Sequence, residues 1–137
     1  MAYKAEIPYG CYWSTPFARW QGAFANLNSV EFAAHVVKKE LARRSIPAQA
    51  FDHGVLGLSV PQKHSFFGLP WLAGMAGMGQ IGGPTLMQAC ATGVRVLLSG
   101  VQEIENGMSR SQSASTPPVR ASGTPVNTST AWRASGS

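Results

Sequence analysis

The stretch Thr85-Leu86-Met87-Gln88-Ala89-Cys90-Ala91-Thr92-Gly93 decides how this 137-residue chain is read. It follows Gly82-Gly83-Pro84 as a short apolar run and leads into Val94, Leu97, Leu98, Val101 and Ile104. Those five positions recur at the three- and four-residue offsets that align side chains on one face of a helix. A strand therefore ends and a helix begins around Cys90. Helix N-termini carry partial positive charge and N–H groups without intrahelical partners, and thiolates are favoured beside them. Cys90 is thus a candidate nucleophile. The competing reading is a small buried thiol packed as a hydrophobe, and the turn context alone leaves both open.

On the N-terminal side, Gly54-Val55-Leu56-Gly57-Leu58-Ser59-Val60 is a nearly continuous apolar segment of strand length, closed by Pro61. Such runs belong to strands buried on both faces of a layered sheet. Before it, Asn28-Ser29-Val30-Glu31 is a helix start with Asn28 as N-cap, and Val30, Ala33, Ala34, Val37 and Leu41 continue as an apolar stripe. Arg43 and Arg44 suit the C-terminal end of that helix, and Pro47 terminates the run. Between the two strands, a Gly/Met-rich helix is expected from about Pro70 to Met78. Helix, strand, helix, strand, helix in that order indicates an α/β layered fold.

Residues 3–27 hold Tyr9, Tyr12, Trp13, Phe17, Trp20 and Phe24 among Pro8, Gly10, Pro16 and Gly22. One short strand is expected around Ala5–Trp13, followed by a loop whose rings are covered by other parts of the protein or stack on a ligand. His35 flanks the first helix's stripe and reads as a half-exposed helix residue. Gly77-Met78-Gly79-Gln80-Ile81-Gly82 matches G-x-G-x-x-G. A dinucleotide fingerprint needs a strand before it and a helix after it, whereas here a helix precedes and Gly83-Pro84 follows, so the segment reads as a connector.

Charge excludes other classes. Of the formal net charge of +5, residues up to Gly107 carry eight Lys/Arg against six Asp/Glu, and the rest comes from Arg110, Arg120 and Arg133. That distribution is no footprint for nucleic acid. The segment between Lys63 and Arg95 has no charged residue, but nine glycines and prolines break it into pieces too short to span a bilayer, so no membrane span is expected. Two cysteines without a C-x-x-C spacing, and no secretory signal pattern, point to a reduced, cytoplasmic setting. The six acids and three histidines form no metal motif, and no metal is expected. From Met108 the composition changes: twelve of the last 30 residues are Ser or Thr and none is acidic. Residues 108–137 are therefore expected to form a disordered Ser/Thr/Arg-rich tail after a domain spanning 1–107.

Taken together, residues 10 to 107 resemble the N-terminal half of a thiolase. Ser14-Thr15-Pro16 is similar to the family's early Arg-Thr-Pro region, with Ser14 where Arg is common. The helix at 29–44, the linker through Pro47 and Phe51-Asp52, the strand at 54–60 and the loop into a Gly-rich helix come in the family's order. Cys90-Ala91-Thr92-Gly93 is similar to its Cys-x-[Ser/Thr]-Gly elbow. The resemblance implies a truncated α/β half-fold, helices packed on a mixed sheet, homo-oligomeric in the full-length family. It implies acyl transfer through an acyl-cysteine on Cys90, with coenzyme A thioesters as substrates and no tightly bound cofactor.

The family's Gly-His-Pro and Cys-x-Gly motifs, which supply base and acid from the C-terminal half, are not found here. His35, His53 and His64 match none of those positions, and Cys11 precedes the best-matching region. The resemblance thus implies a nucleophile without its base, inactive as an isolated chain, with the tail as an out-of-frame continuation. A non-catalytic fragment or binding module, or a ketoacyl-synthase or lipid-handling relative, are the alternatives.

Overall fold

Asn28 starts α1 (Ser29–Arg43) as expected. Its Oδ1 accepts from the N–H groups of Val30 at 2.9 Å and Glu31 at 3.3 Å, a cap worth about 1 kcal/mol. The stripe Val30, Ala33, Ala34, Val37 and Leu41 is buried along the length of the helix. At the other end, Arg43 and Arg44 converge on the Glu40 carboxylate at 2.7 and 3.1 Å. Hydrogen bonding from Arg43, with Arg44 adding to it, holds that carboxyl below its usual range despite partial burial. Arg44 also lies 5.1 Å over the Trp13 ring and donates to the Tyr12 carbonyl, so the end of α1 is tied to the N-terminal segment.

The computed structural model describes residues 5–61, 63, 65–107, 111–116 and 128–134, the last two segments by their backbone. Six strands and three helices occur among them: β1 (Ala5–Glu6), β2 (Tyr12–Trp13), α1, β3 (His53–Gly57), α2 (Gly68–Ala76), β4 (Thr85–Leu86), α3 (Thr92–Glu105), β5 (Ser111–Thr116) and β6 (Thr128–Ala134). The single strand expected at 5–13 is two short pieces, because Pro8 and Gly10, the latter at φ 77°, turn the chain between them. All strands join one mixed sheet of order β1-β6-β5-β3-β4, with β2 also on β6. β3 is parallel to β4 (Leu56 opposite Thr85) and to β5 (Val55 opposite Ala114), while β6 runs antiparallel to β5, β1 and β2.

Side chains alternate across a strand, and β3 shows what that achieves here. Leu56 and Leu58 enter a core with α1, α2, Phe51, Met78 and Ile81, whereas Val55 points to the other face and meets Val96 and Ile104 of α3. The result is three layers, with α1 and α2 on one side of the sheet and α3 on the other. The segment 77–82 is the connector anticipated from its surroundings. Gly77, at φ 84°, closes α2 while the Met78 N–H reaches back to the Ala73 carbonyl at 2.8 Å and the Met78 side chain is buried. That is a helix ending on a left-handed residue with an apolar contact beyond it.

One expectation needs revision. The stripe Val94, Leu97, Leu98, Val101 and Ile104 is not one buried face: Val94 and Leu98 remain 72% and 45% exposed. Val96, Ser99 and Gly100 are buried together with Ile104, so α3 is apolar on two sides and buries the one that carries them. Within this chain the rings of the N-terminal loop are largely open; Tyr9 is 97% exposed and Phe17 and Trp20 more than half so. Beyond residue 107, residues 111–116 and 128–134 run as strands beside the sheet. A strand buried on both faces leaves backbone donors and acceptors on each edge. β4 takes one edge of β3 and β5 takes the other, through main-chain bonds that are indifferent to side-chain polarity. The remaining tail residues lie outside those described.

Candidate active site

Cys90 occupies a short 3-10 turn, Ala89–Ala91, between the end of β4 and the first residue of α3. The thiol is exposed, so it is not the packed hydrophobe of the competing reading. The turn that presents it is strained. Ala89, immediately before the cysteine, has φ 46°, a left-handed conformation that a residue with a Cβ enters at a cost of about 1–2 kcal/mol. Gln88 before it stands at φ −145°, ψ 42°. The chain thus leaves β4 at Leu86, turns at Ala89 and enters α3 at Thr92, with the exposed Cys90 in the bend.

Thr92 closes this bend from below. Its side chain is fully buried, accepts from the Gln88 N–H at 2.8 Å and donates to the Ala89 carbonyl at 2.7 Å. The Thr92 N–H bonds the same carbonyl, and the Ala91 N–H bonds the Gln88 carbonyl at 3.0 Å. No side chain caps α3, whose N-cap position is Ala91. The first N–H groups of a helix have no intrahelical acceptor, so this terminus offers donors and partial positive charge next to the Cys90 sulfur. Backbone donors of this kind stabilise an oxyanion forming on a carbonyl bound there.

Removing the strain gives a direct check on it. Ala89→Gly is expected to raise the unfolding free energy by up to about 1 kcal/mol, because the left-handed penalty outweighs the entropy cost of glycine. A urea titration of both proteins measures the difference, and a clear loss of stability in the variant would contradict the strain assignment.

The other titratable groups named from the sequence lie elsewhere. His53 begins β3 and its Nε2 stands 2.6 Å from Glu103 Oε2 near the end of α3. The contact is close in distance but outside hydrogen-bond alignment, so we count it as proximity of an imidazole and a carboxylate. From Thr92 to Glu103 a helix advances about 1.5 Å per residue, on the order of 16 Å, which puts His53 at the far end of α3 from Cys90. His35 is on the exposed side of α1, in the opposite layer. Cys11 is half-buried against the α1–α2 core, and His64 lies outside the described residues. Among the described residues, no three His, Cys, Asp or Glu side chains converge as a metal site would require, and no helix is long and apolar enough to cross a membrane.

A bent strand-to-helix junction holding a cysteine, in a three-layer fold with this element order, has a match among known families. The family model for the N-terminal domain of thiolase aligns with residues 13–112, from the start of the aromatic loop into β5. The chain belongs to the thiolase family. Its fold is also that of the crystal structure of the Bacillus anthracis acetyl-CoA acetyltransferase, with a TM-score of 0.75 at 21% identity over 85% of this chain. The chain spans 29% of that enzyme's length. A search of curated protein sequences finds no match.

The family alignment ends at residue 112, inside β5. Sequence reasoning located Cys90 and the elbow but missed two of its parts. Nothing in the word Ala89 announces a left-handed residue, as glycine or asparagine would. Thr92 was legible only as a letter of the motif, and its pair of hydrogen bonds became visible once the turn was folded.

Proposed function

We propose that this thiolase domain presents Cys90 as the nucleophile of an acyl transfer from a coenzyme A thioester. The supporting observation is the elbow itself: an exposed thiol held at an uncapped helix N-terminus by a strained turn. In the reaction, the Cys90 thiolate adds to the thioester carbonyl and the oxygen becomes an oxyanion facing the N–H groups of α3. Collapse breaks the bond to the coenzyme A sulfur, which leaves as a thiolate and takes a proton from water. One thioester replaces another, so the exchange is close to isoenergetic and needs no cofactor. Within this reading the acyl group is then condensed with, or released from, a second acyl-CoA, and the assembly is homo-oligomeric as in the thiolase pattern.

A second reading is a non-catalytic fragment or binding module, and the position of His53 favours it over full turnover. Neither described imidazole is placed by its element to serve Cys90 as a base, and a nucleophile without one gives at most a stoichiometric acyl-enzyme. The test is incubation of the chain with acetyl-CoA near neutral pH, followed by peptide mapping. An acyl adduct on the Cys90 peptide supports the acyl-transfer reading. An unmodified Cys90 under conditions where free thiols in the same tube react supports the binding module.

A further inference from the structure

We infer that Thr92 is a positioning residue for Cys90, acting through the turn rather than on substrate; the inference rests on the acyl-transfer reading above. Its hydroxyl bridges the Met87–Gln88 and Ala89–Cys90 peptide units across the left-handed Ala89: it accepts from the Gln88 N–H at 2.8 Å and donates to the Ala89 carbonyl at 2.7 Å. Both bonds are shielded, since the Thr92 side chain is fully buried, while Cys90 two residues earlier is exposed. The two facts belong together. A left-handed alanine reverts to ordinary backbone unless the surroundings over-determine it, and reversion would rotate the peptide carrying Cys90 and swing the sulfur off the axis of α3. The methyl group of Thr92 is buried with the hydroxyl, so the two have separable duties: the hydroxyl holds the bend and the methyl packs. Helix-terminus electrostatics falls off within the first turn, and a small displacement of the sulfur therefore costs reactivity without unfolding anything.

The experiment compares the full-length chain with Thr92→Val, which keeps the shape and removes both bonds, and Thr92→Ser, which keeps the hydroxyl. Each is alkylated with iodoacetamide at fixed neutral pH and the rate read separately at Cys90 and Cys11 by peptide mass spectrometry. Cys11, half-buried against the α1–α2 core, reports general loosening. In Thr92→Val the Cys90 rate is expected to fall about tenfold, within what interactions at a helix terminus supply, with the Cys11 rate unchanged. Thr92→Ser is expected to return Cys90 to about the native rate. A Thr92→Val protein that labels Cys90 at the native rate overturns the inference. So does one in which both cysteines react faster, or one that does not fold, because Thr92 is then a packing residue only. Equal slowing in Thr92→Ser also overturns it. Failure of native Cys90 to take an acyl group from acetyl-CoA sinks the acyl-transfer reading and leaves the alkylation comparison standing, so the two failures are distinguishable.

Discussion

Gly83→Ala is expected to keep the chain from folding. Gly83 has φ 142°, where side chains are rarely accommodated, and a Cβ built there would lie 1.9 Å from the Gly54 carbonyl oxygen and 2.7 Å from His53 Nε2. Neither neighbour yields cheaply. Gly54 and Leu56 of β3 donate to the Gly82 and Pro84 carbonyls at 3.0 Å each, so the backbone on both sides of Gly83 is stitched to the central strand. Moving it outward by the ångström or more that alanine requires breaks those bonds and opens the α1–α2 core at Leu56. Backbone strain of this kind costs about 1–3 kcal/mol, and overpacking adds a similar amount. Domains of this size have only about 5–15 kcal/mol in total. Circular dichroism of the purified variant measures the outcome. Gly74→Ala is the control: nothing lies within 4 Å of a Cβ there, the site is inside α2, and the exchange is expected to stabilise by up to about 1 kcal/mol. A Gly83→Ala protein that melts like the native chain would show that the β3–β4 junction is far looser than its hydrogen bonds imply.

Cys90→Ala is expected to abolish acylation by acetyl-CoA completely while leaving the melting curve within about 0.5 kcal/mol of native, the ordinary range for an exposed substitution. The contrast between a total chemical effect and a negligible structural one separates a nucleophile from a packed thiol. A buried cysteine would give the opposite pattern, with lost stability and no chemistry to lose. Intact-mass spectrometry decides it, with Cys11 as the internal alternative. An adduct that persists in Cys90→Ala and maps to Cys11 would move the reactive centre to the N-terminal segment and remove the elbow from the reaction.

What the sequence disclosed was whatever repeats along it. The stripe of α1, the unbroken apolar run of β3 and the polar N-cap at Asn28 are local patterns, and each maps onto a buried face or a satisfied donor. Which side of α3 meets the sheet was not local. Both sides are apolar, and the one that carries Val96, Ser99 and Gly100 is buried. The left-handed Ala89 was equally hidden, because its conformation is imposed by hydrogen bonds from a residue in the next element. Ser111 to Thr116 have little to bury, yet they answer the free edge of β3.

The pairing of Ala5 with Ala134 and of Tyr12 with Thr130 sets an order of events during synthesis. The core of α1, α2 and β3 around Leu56 lies within residues 30–81, so that layer can consolidate while translation continues, before β5 completes the pairing of β3. β1 and β2 precede that core in the chain and β6 follows it, so their sheet positions are filled only after β6 has been made. Domains that assemble as they are translated usually bury their earlier residues first. Here two short strands wait for a partner translated more than a hundred residues later, held meanwhile by Arg44 over Trp13 and the packing of Cys11 on the core.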